Sequence, residues 1–333
     1  MASVLYVISR RNTFTAIDRT ALEERHEVSD YLQAGARPRP RELWRAVGRA
    51  DVVVGWFASW HTCLALSMAK ARGKPSLLIF GGFDTANMPE IDYGSQRGGI
   101  RKRLVHFTVD LATRLVTNSD YTLSEIQNNT TINPERVRVV HHGIPDRFAD
   151  VDLNAPRERT ALTVGAVYAV NLARKGHGPF AEAALLAPDT DFVLAGEWWD
   201  ETGKELASSA PANLRVTGRL SDDELDALFR TAAVYVQASA QEGFGMSLAE
   251  AMLAGAVPVI TRAGAMPEVV GDTGIVIPEA SAQAVADGVR EALALDPNAG
   301  SAARERVRTR FTYEARRDGI LEELDRAIAG ERS

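Results

Sequence analysis

A chain of 333 residues, 45% hydrophobic and 25% charged, is long enough for two domains and has the composition of an ordinary packed core, which excludes a disordered or fibrous protein. No run of 18 apolar residues occurs, so no membrane-spanning helix is expected. A single cysteine, Cys63, excludes a disulfide framework and fits a reducing, cytoplasmic setting.

The net charge of -6 is uneven: residues 1–150 hold 20 basic and 16 acidic residues (net +4), the remainder 18 and 28 (net −10). Such an asymmetry predicts different partners for the two halves. The first residues, Met1-Ala-Ser-Val-Leu-Tyr-Val-Ile, lack a basic start before their short apolar run and read as a first strand. Short apolar runs predict further strands over 51–57, 76–80, 115–117 and 137–140. Amphipathic stretches predict helices over 14–25, 40–48, 60–72 and 121–128. This alternation argues a parallel sheet covered by helices. Two basic clusters lie here: Arg37, Arg39, Arg41, Arg45 and Arg49 around Trp44, and Arg97, Arg101, Lys102 and Arg103 beside Gly98-Gly99. They read either as solvated helix faces or as contacts to an anionic membrane surface. The acidic total and the lack of interleaved aromatics argue against nucleic acid. Residues 144–159 are polar, with two prolines, and read as a linker.

The second half repeats the pattern. Strands are expected over 162–167, 192–195, 214–217, 234–236, 257–260 and 275–277, and helices over 180–187, 222–229 and 282–295, with a last helix over 313–329. Open α/β sheets bind ligands beyond the carboxyl ends of their strands, which ranks the loops that follow each strand.

The most informative loop is Glu242-Gly-Phe-Gly-Met-Ser-Leu-Ala-Glu250. Gly243 and Gly245 permit a tight turn that a ligand can approach. Ser247 is the expected N-cap of the helix that follows, with Glu250 in its first turn. A helix start favours a phosphate, and a carboxylate on each side suits sugar hydroxyls, one toward a ribose and one toward a transferred sugar. The plainer alternative is that Ser247-x-x-Glu250 is only a capping box.

Glu242, seven residues, then Glu250, with Gly-Phe-Gly between them, Ala-Gly-Ala-Val-Pro-Val-Ile after and Gly264-Ala-Met-Pro-Glu-Val-Val-Gly271 beyond, resembles the donor-binding signature of the retaining family-4 glycosyltransferases. The resemblance implies an α/β GT-B fold: two Rossmann-like domains with parallel sheets facing a central cleft. The N-terminal domain would span 1–150 and the nucleotide-sugar domain 156–310, with a last helix over 311–330 packing back on the first. It implies transfer of a sugar from a nucleotide-diphosphate sugar to a hydroxyl acceptor with retained anomeric configuration. No cofactor and no metal are expected. Asp150-Val151-Asp152 lies in the linker and Asp189-Thr190-Asp191 at the wrong end of its strand for a metal-binding pair.

By the same resemblance Lys175, before Gly176, binds the donor diphosphate. The family's arginine five residues earlier is replaced by Val170, leaving Arg174 or Asn171 as substitutes. Arg174-Lys175 otherwise reads as a solvated pair at a helix start, a poor place for cations unless an anion is bound. Glu197, in the loop Gly196-Glu-Trp-Trp199, lies near the nucleotide, and the backbone of Gly218-Arg219 reads the base. Gly243, Phe244, Gly245, Met246, Ser247 and Leu248 complete the donor site. Many relatives carry a cleft histidine where this chain has Gly81; Asp84 and His61 are the candidates to take its place. Ser9-Arg10-Arg11-Asn12-Thr13 stands where a glycine-rich loop is usual, offering basic donors to an acidic acceptor, and Ser119 is read as structural. Alternatives are a GT-B sugar-nucleotide epimerase or hydrolase, and a non-catalytic sugar-nucleotide-binding subunit. A dehydrogenase is disfavoured because Leu248 stands where a third glycine is needed.

Overall fold

A computed structural model describes residues 1–35, 37–296 and 298–333. The chain forms two units, Met1–Gly143 with Tyr313–Ser333, and Ile144–Thr312.

The first unit runs β1 (Ser3–Ile8), α1 (Thr13–Glu23), β2 (Glu27–Leu32), α2 (Pro40–Arg49), β3 (Val52–Trp56), α3 (Trp60–Ala71), β4 (Ser76–Phe80), α4 (Gly99–Leu111), β5 (Arg114–Thr117), α5 (Asp120–Asn129) and β6 (Val137–Val139). The strands pair in parallel in the order β2-β1-β3-β4-β5-β6. β3 and β4 are buried at every position, as strands covered on both faces must be. β2 escapes the apolar-run criterion because it is the edge strand: Glu27 and Ser29 are exposed and only Tyr31 is buried. α4, also unforeseen, buries only Val105, Thr108 and Val109.

The second unit runs β7 (Glu158–Val164), α6 (Ala169–Arg174), α7 (His177–Leu186), β8 (Asp191–Ala195), α8 (Thr202–Ser208), β9 (Leu214–Val216), α9 (Asp222–Thr231), β10 (Ala232–Gln237), α10 (Met246–Leu253), β11 (Val257–Thr261), α11 (Met266–Val270), β12 (Ile275–Ile277), α12 (Ala282–Leu293) and α13 (Ala299–Arg310). Its sheet is parallel in the order β12-β11-β10-β7-β8-β9. α13 is a helix that apolar periodicity misses, because it packs through small residues. Gly300 lies so close to Gly255 that an added Cβ would stand 1.9 Å from the Gly255 carbonyl oxygen.

The expected linker over 144–159 is corrected. Ile144 and Phe148 are buried in the second core, and β7 starts at Glu158. The apolar residues of this stretch are too few for periodicity to register, yet two of them, Ile144 and Phe148, fill the core and Val151 packs against it.

Beyond Thr312, α14 (Tyr313–Ile328) belongs to the first unit. Ile320, Leu321 and Leu324 pack with Val4, Tyr6, Val54 and Leu77 of the sheet. Arg316 pairs both ways with Asp18 of α1, Nε to Oδ1 at 2.8 Å and a terminal nitrogen to Oδ2 at 2.7 Å, with both side chains fully buried. Trp56 Nε1 donates to the same Asp18 Oδ2 at 3.1 Å. Removing one partner alone leaves a buried charge, a loss of about 3–5 kcal/mol.

Candidate functional site

Strand order fixes where a ligand crevice can open. In the second sheet the order reverses between β7 and β10, so their carboxyl ends diverge into loops on either side of a gap. After β7 the chain turns through Gly165 into α6 and reaches Lys175; after β10 it runs from Gln237 through Glu242 into α10. The two loops touch closely. Ala240 N donates to Arg174 O at 2.8 Å, and a Cβ on Gly176 would stand 2.2 Å from the Ala238 carbonyl oxygen.

Lys175 Nζ donates to Glu242 Oε2 at 2.6 Å, and Gln237 Nε2 donates to the same oxygen at 2.9 Å. Burial alone would raise the Glu242 carboxyl. The charges of Lys175 and Arg174 and the two hydrogen bonds outweigh it and hold the group below the usual carboxylate range. Its backbone is seated by Ala265, whose N–H donates to Glu242 O at 2.9 Å, and by Gly264, where a Cβ would come within 2.5 Å of Glu242 N and O.

Arg174 and Lys175 do not open a helix. They close α6, where cations meet the favourable end of the helix dipole, and Gly176 in a left-handed conformation starts α7. Asn171 is corrected as a ligand-facing residue: it is 2% exposed, and its Nδ2 donates to Ala166 O at 2.6 Å while its Oδ1 accepts from Arg174 Nε at 2.9 Å. It braces the loop that carries Lys175.

α10 begins two residues earlier than Ser247 suggested. Gly245, at φ 101, is the N-cap, so Ser247 lies within the helix, no capping box forms, and Glu250 falls in the second turn. The first-turn N–H groups of Met246, Ser247 and Leu248 have no carbonyl four residues back inside the helix. Phe244 and Leu248 turn inward. Both side chains are core, and Phe244 packs edge-on against Phe311 at 5.2 Å. Glu250 is buried and accepts from Arg147 at 3.0 Å, while Arg147 also reaches Asp226 at 2.8 Å. Burial outweighs Arg147 and raises the Glu250 carboxyl above its ordinary value.

The loops after β8 and β9 are laced to the loop after β7. Val167 N donates to Glu197 O, Trp199 N to Val167 O and Gly196 N to Gly218 O, at 2.9, 3.0 and 3.1 Å. Trp199 stacks on Tyr168 with ring centres 5.0 Å apart, and Trp198 covers Gly203 and Gly218. Glu197 accepts from Trp199 Nε1 at 3.2 Å and lies 3.5 Å from Arg219. Gly218, at φ +74, has the backbone freedom expected of a turn that meets a ligand through its main chain.

In the first unit two expectations are corrected. The Asp84 carboxylate is 1% exposed and faces inward, accepting from Ala58 N at 2.9 Å and from Gly81 N and Gly82 N at 3.1 Å. It fastens the turn after β3 to the turn after β4. His61 is 5% exposed in the first turn of α3, with Nδ1 2.7 Å from Ser59 Oγ, and burial pulls its pKa down to about 4. Ser119 caps α5, accepting from Thr122 N at 3.0 Å. Arg11 reaches Asp30 at 3.1 Å from the loop after β1. Of the basic clusters, Arg39 pairs with Glu42 at 2.9 Å and Arg97 pairs with Asp92.

Sequence reasoning missed Gln237 and Arg147 and gave Gly264, though it stands in the signature, no role of its own. A polar residue ending a buried strand is a signal for the first; nothing local marks the second.

Residues 159–317, just under half of the chain, match the family model for glycosyl transferases group 1. The chain is 27% identical to the D-inositol 3-phosphate glycosyltransferase of Mycolicibacterium gilvum over 84% of this chain and 65% of that one. It is 34% identical to the MMP alpha-(1->4)-mannosyltransferase of Mycolicibacterium hassiacum over 48% of this chain and 39% of that one. The chain thus spans less than two thirds of these curated relatives. Among solved structures, Anabaena HepE in complex with UDP and glucose superposes with a TM-score of 0.79 at 16% identity, covering 98% of this chain and 100% of that one. Sucrose-phosphate synthase from Thermosynechococcus elongatus gives 0.76 at 15% identity, covering 99% and 100%. Two parallel six-stranded sheets flanked by helices, matched over nearly the whole chain by these structures, make this a two-domain α/β protein of the GT-B fold, whose second unit is similar to the glycosyl transferases of group 1.

Proposed function

We propose that the chain is a glycosyltransferase that moves a sugar from a nucleotide-diphosphate sugar to a hydroxyl acceptor. The observation that carries this reading is the Lys175–Glu242 pair at the β7/β10 crevice, beside the start of α10. A diphosphate suits that corner: Lys175, Arg174 and the first N–H groups of α10 offer positive charge where the departing phosphate gains negative charge. A phosphate that takes over Lys175 releases Glu242 Oε2 to hold a hydroxyl of the transferred sugar. Glu250 takes the ribose. In the transfer the bond from the anomeric carbon to the diphosphate oxygen breaks and a bond to the acceptor oxygen forms. The acceptor proton leaves with the diphosphate. These cations do the work that a metal does elsewhere, so the reading needs none. Retention by front-face attack, as in family 4, is supported by the Glu242–Glu250 motif. Glycosyl transfer as such is supported by the mannosyl- and inositol phosphate glycosyltransferases among the relatives.

The test is a thermal-shift screen against UDP-, GDP- and ADP-sugars, since a donor that binds the folded state raises the Tm by mass action. Product analysis of the hit then separates transfer from the epimerase and hydrolase alternatives. No shift with any donor overturns the reading.

Among the described residues no helix is long and apolar enough to cross a membrane. Peripheral contact with an anionic bilayer is supported by α4, where Ile100 and Phe107 are 83% and 55% exposed on the helix that carries Arg101, Lys102 and Arg103. Cosedimentation with phosphatidylglycerol vesicles, lost at high salt, tests it.

A further inference from the structure

We propose that Phe57 is a sugar-facing residue of the first unit, its ring forming the platform on which the C–H face of an acceptor pyranose packs. The inference rests on the glycosyl-transfer reading but on a different part of the chain. Phe57 directly follows β3 with φ 65, a left-handed conformation that is a true outlier for a bulky residue. Among the described residues only Asp92, at φ 53, shares a positive φ without being glycine. Strain of this kind persists only where the surroundings over-determine it.

They do so here. Phe57 O accepts from Ser59 N at 2.9 Å and from Thr62 Oγ1 at 2.5 Å, and the next N–H, of Ala58, is held by the buried Asp84. The same carboxylate holds Gly81 and Gly82 at the end of β4. The clamp lays the Phe57 ring over Gly81: a Cβ there would stand 2.0 Å from Phe57 Cε1. With the ring in this place a Cβ at 81 has no room, and the ring fills the space from the neighbouring strand.

The position is the one a ligand uses. In the first sheet the strand order reverses between β1 and β3, so Phe57 stands at the switch point of that sheet, on its carboxyl side. Trp56 beside it is 1% exposed and belongs to the core, whereas Phe57 only packs against the core and stays part-exposed. Phe14 braces it edge-on at 6.1 Å and Trp56 at 5.6 Å, fixing its plane. An aromatic face is electron-rich and attracts the electropositive C–H groups of a sugar ring. A residue kept for packing alone would not need a backbone conformation that glycine adopts without cost.

The experiment uses the full chain and the variants Phe57→Gly and Phe57→Tyr. Saturation-transfer NMR is recorded with methyl α-glucoside, methyl α-mannoside and methyl β-galactoside, alongside titration with UDP and GDP. Wild type and Phe57→Tyr are expected to show transfer to sugar ring protons. Phe57→Gly is expected to lose it at least ~10-fold while keeping its Tm, because glycine relieves the strain. A fall in Tm of more than about 5 °C with glycoside binding intact makes Phe57 a core residue and overturns the proposal. Absence of transfer to every glycoside in wild type overturns it as well. Failure of both diphosphates to bind counts instead against the donor site and the glycosyl-transfer reading, whatever Phe57 does.

Discussion

Lys175 Nζ and Glu242 Oε2 meet at 2.6 Å although 67 residues separate them in the chain. Each side of the crevice therefore supplies one charge. Lys175→Ala is expected to lower kcat by about 10²–10³, the loss seen when one donor to a developing oxyanion is removed. It also moves the pH profile. Glu242 sits below the usual carboxylate range against the pull of burial because Lys175 and Arg174 face it, so the activity that depends on its ionised form is lost only as pH falls below the ordinary carboxylate value. Without Lys175 burial dominates and the acidic limb shifts upward. A turnover-against-pH profile of the two proteins reads this directly; an unmoved limb assigns the ionisation to another group.

Gly264 acts on the same carboxylate from behind. Its φ of +65 and its contact with Glu242 N and O leave no room for a Cβ, and the neighbouring Ala265 N–H fixes Glu242 O. Gly264→Ala must push the Glu242 backbone away by several tenths of an ångström or more. Since misplacement of about 1 Å costs around 10²-fold, turnover should fall by at least ~10-fold. Kinetics on the folded variant, with circular dichroism to show that it is folded, checks this; unchanged kcat/KM would mean that the placement of Glu242 is immaterial.

How much of this was legible in the sequence follows from the kind of signal each residue carries. The central strands were readable because parallel strands buried on both faces are apolar throughout, as in Val52–Trp56 and Ser76–Phe80. β2 was not, because Glu27-Val-Ser-Asp-Tyr-Leu32 is a short edge strand with neither a continuous apolar run nor a regular alternation. Lys175, Glu242 and Glu250 stand in a motif that marks them. Arg147, the partner of Glu250, lies 103 residues away in a stretch with no pattern, and only folding brings the two together. Asp84 and His61 were misjudged for one reason: sequence shows that a titratable group follows a strand, but not which way it turns. Asp84 turns inward to three backbone N–H groups, and His61 to the cap of its own helix.

Glu250 separates binding from stability. Burial raises its carboxyl above 4.5 despite Arg147. A group whose folded pKa is raised contributes stability that is present below its unfolded pKa and is lost as pH rises through the folded one, so at pH 7.5 its ionised form is a burden on the fold. Glu250→Gln removes that burden and keeps the shape. The Tm at pH 7.5 should hold or rise, while a lost hydrogen bond to a charged group weakens sugar-nucleotide binding by roughly 10- to 100-fold. Calorimetric titration and thermal melts on one sample distinguish the two effects. A lower Tm with unchanged affinity would make Glu250 a structural anchor for Arg147 and remove the ribose from its description.

Asp84 gives the corresponding test in the first unit. Burial pushes its pKa up to about 6 from 3.8, and the backbone N–H groups of Ala58, Gly81 and Gly82 only partly offset the shift. The sign follows from linkage: the stability this group lends is present below about 3.8 and is lost as pH rises through about 6. Between pH 7.5 and pH 5 the wild type should therefore gain about 1–2 kcal/mol relative to Asp84→Asn, which does not titrate. The variant starts lower at both pH values. An amide offers one oxygen where the carboxylate offers two, and its NH2 must face a backbone N–H that also needs an acceptor. Urea unfolding of both proteins at the two pH values measures the difference. If the gap between them narrows on acidification, the turn after β3 needs the ionised carboxylate more than burial opposes it, and the clamp on Phe57 is then electrostatic, held by charge against the three N–H dipoles.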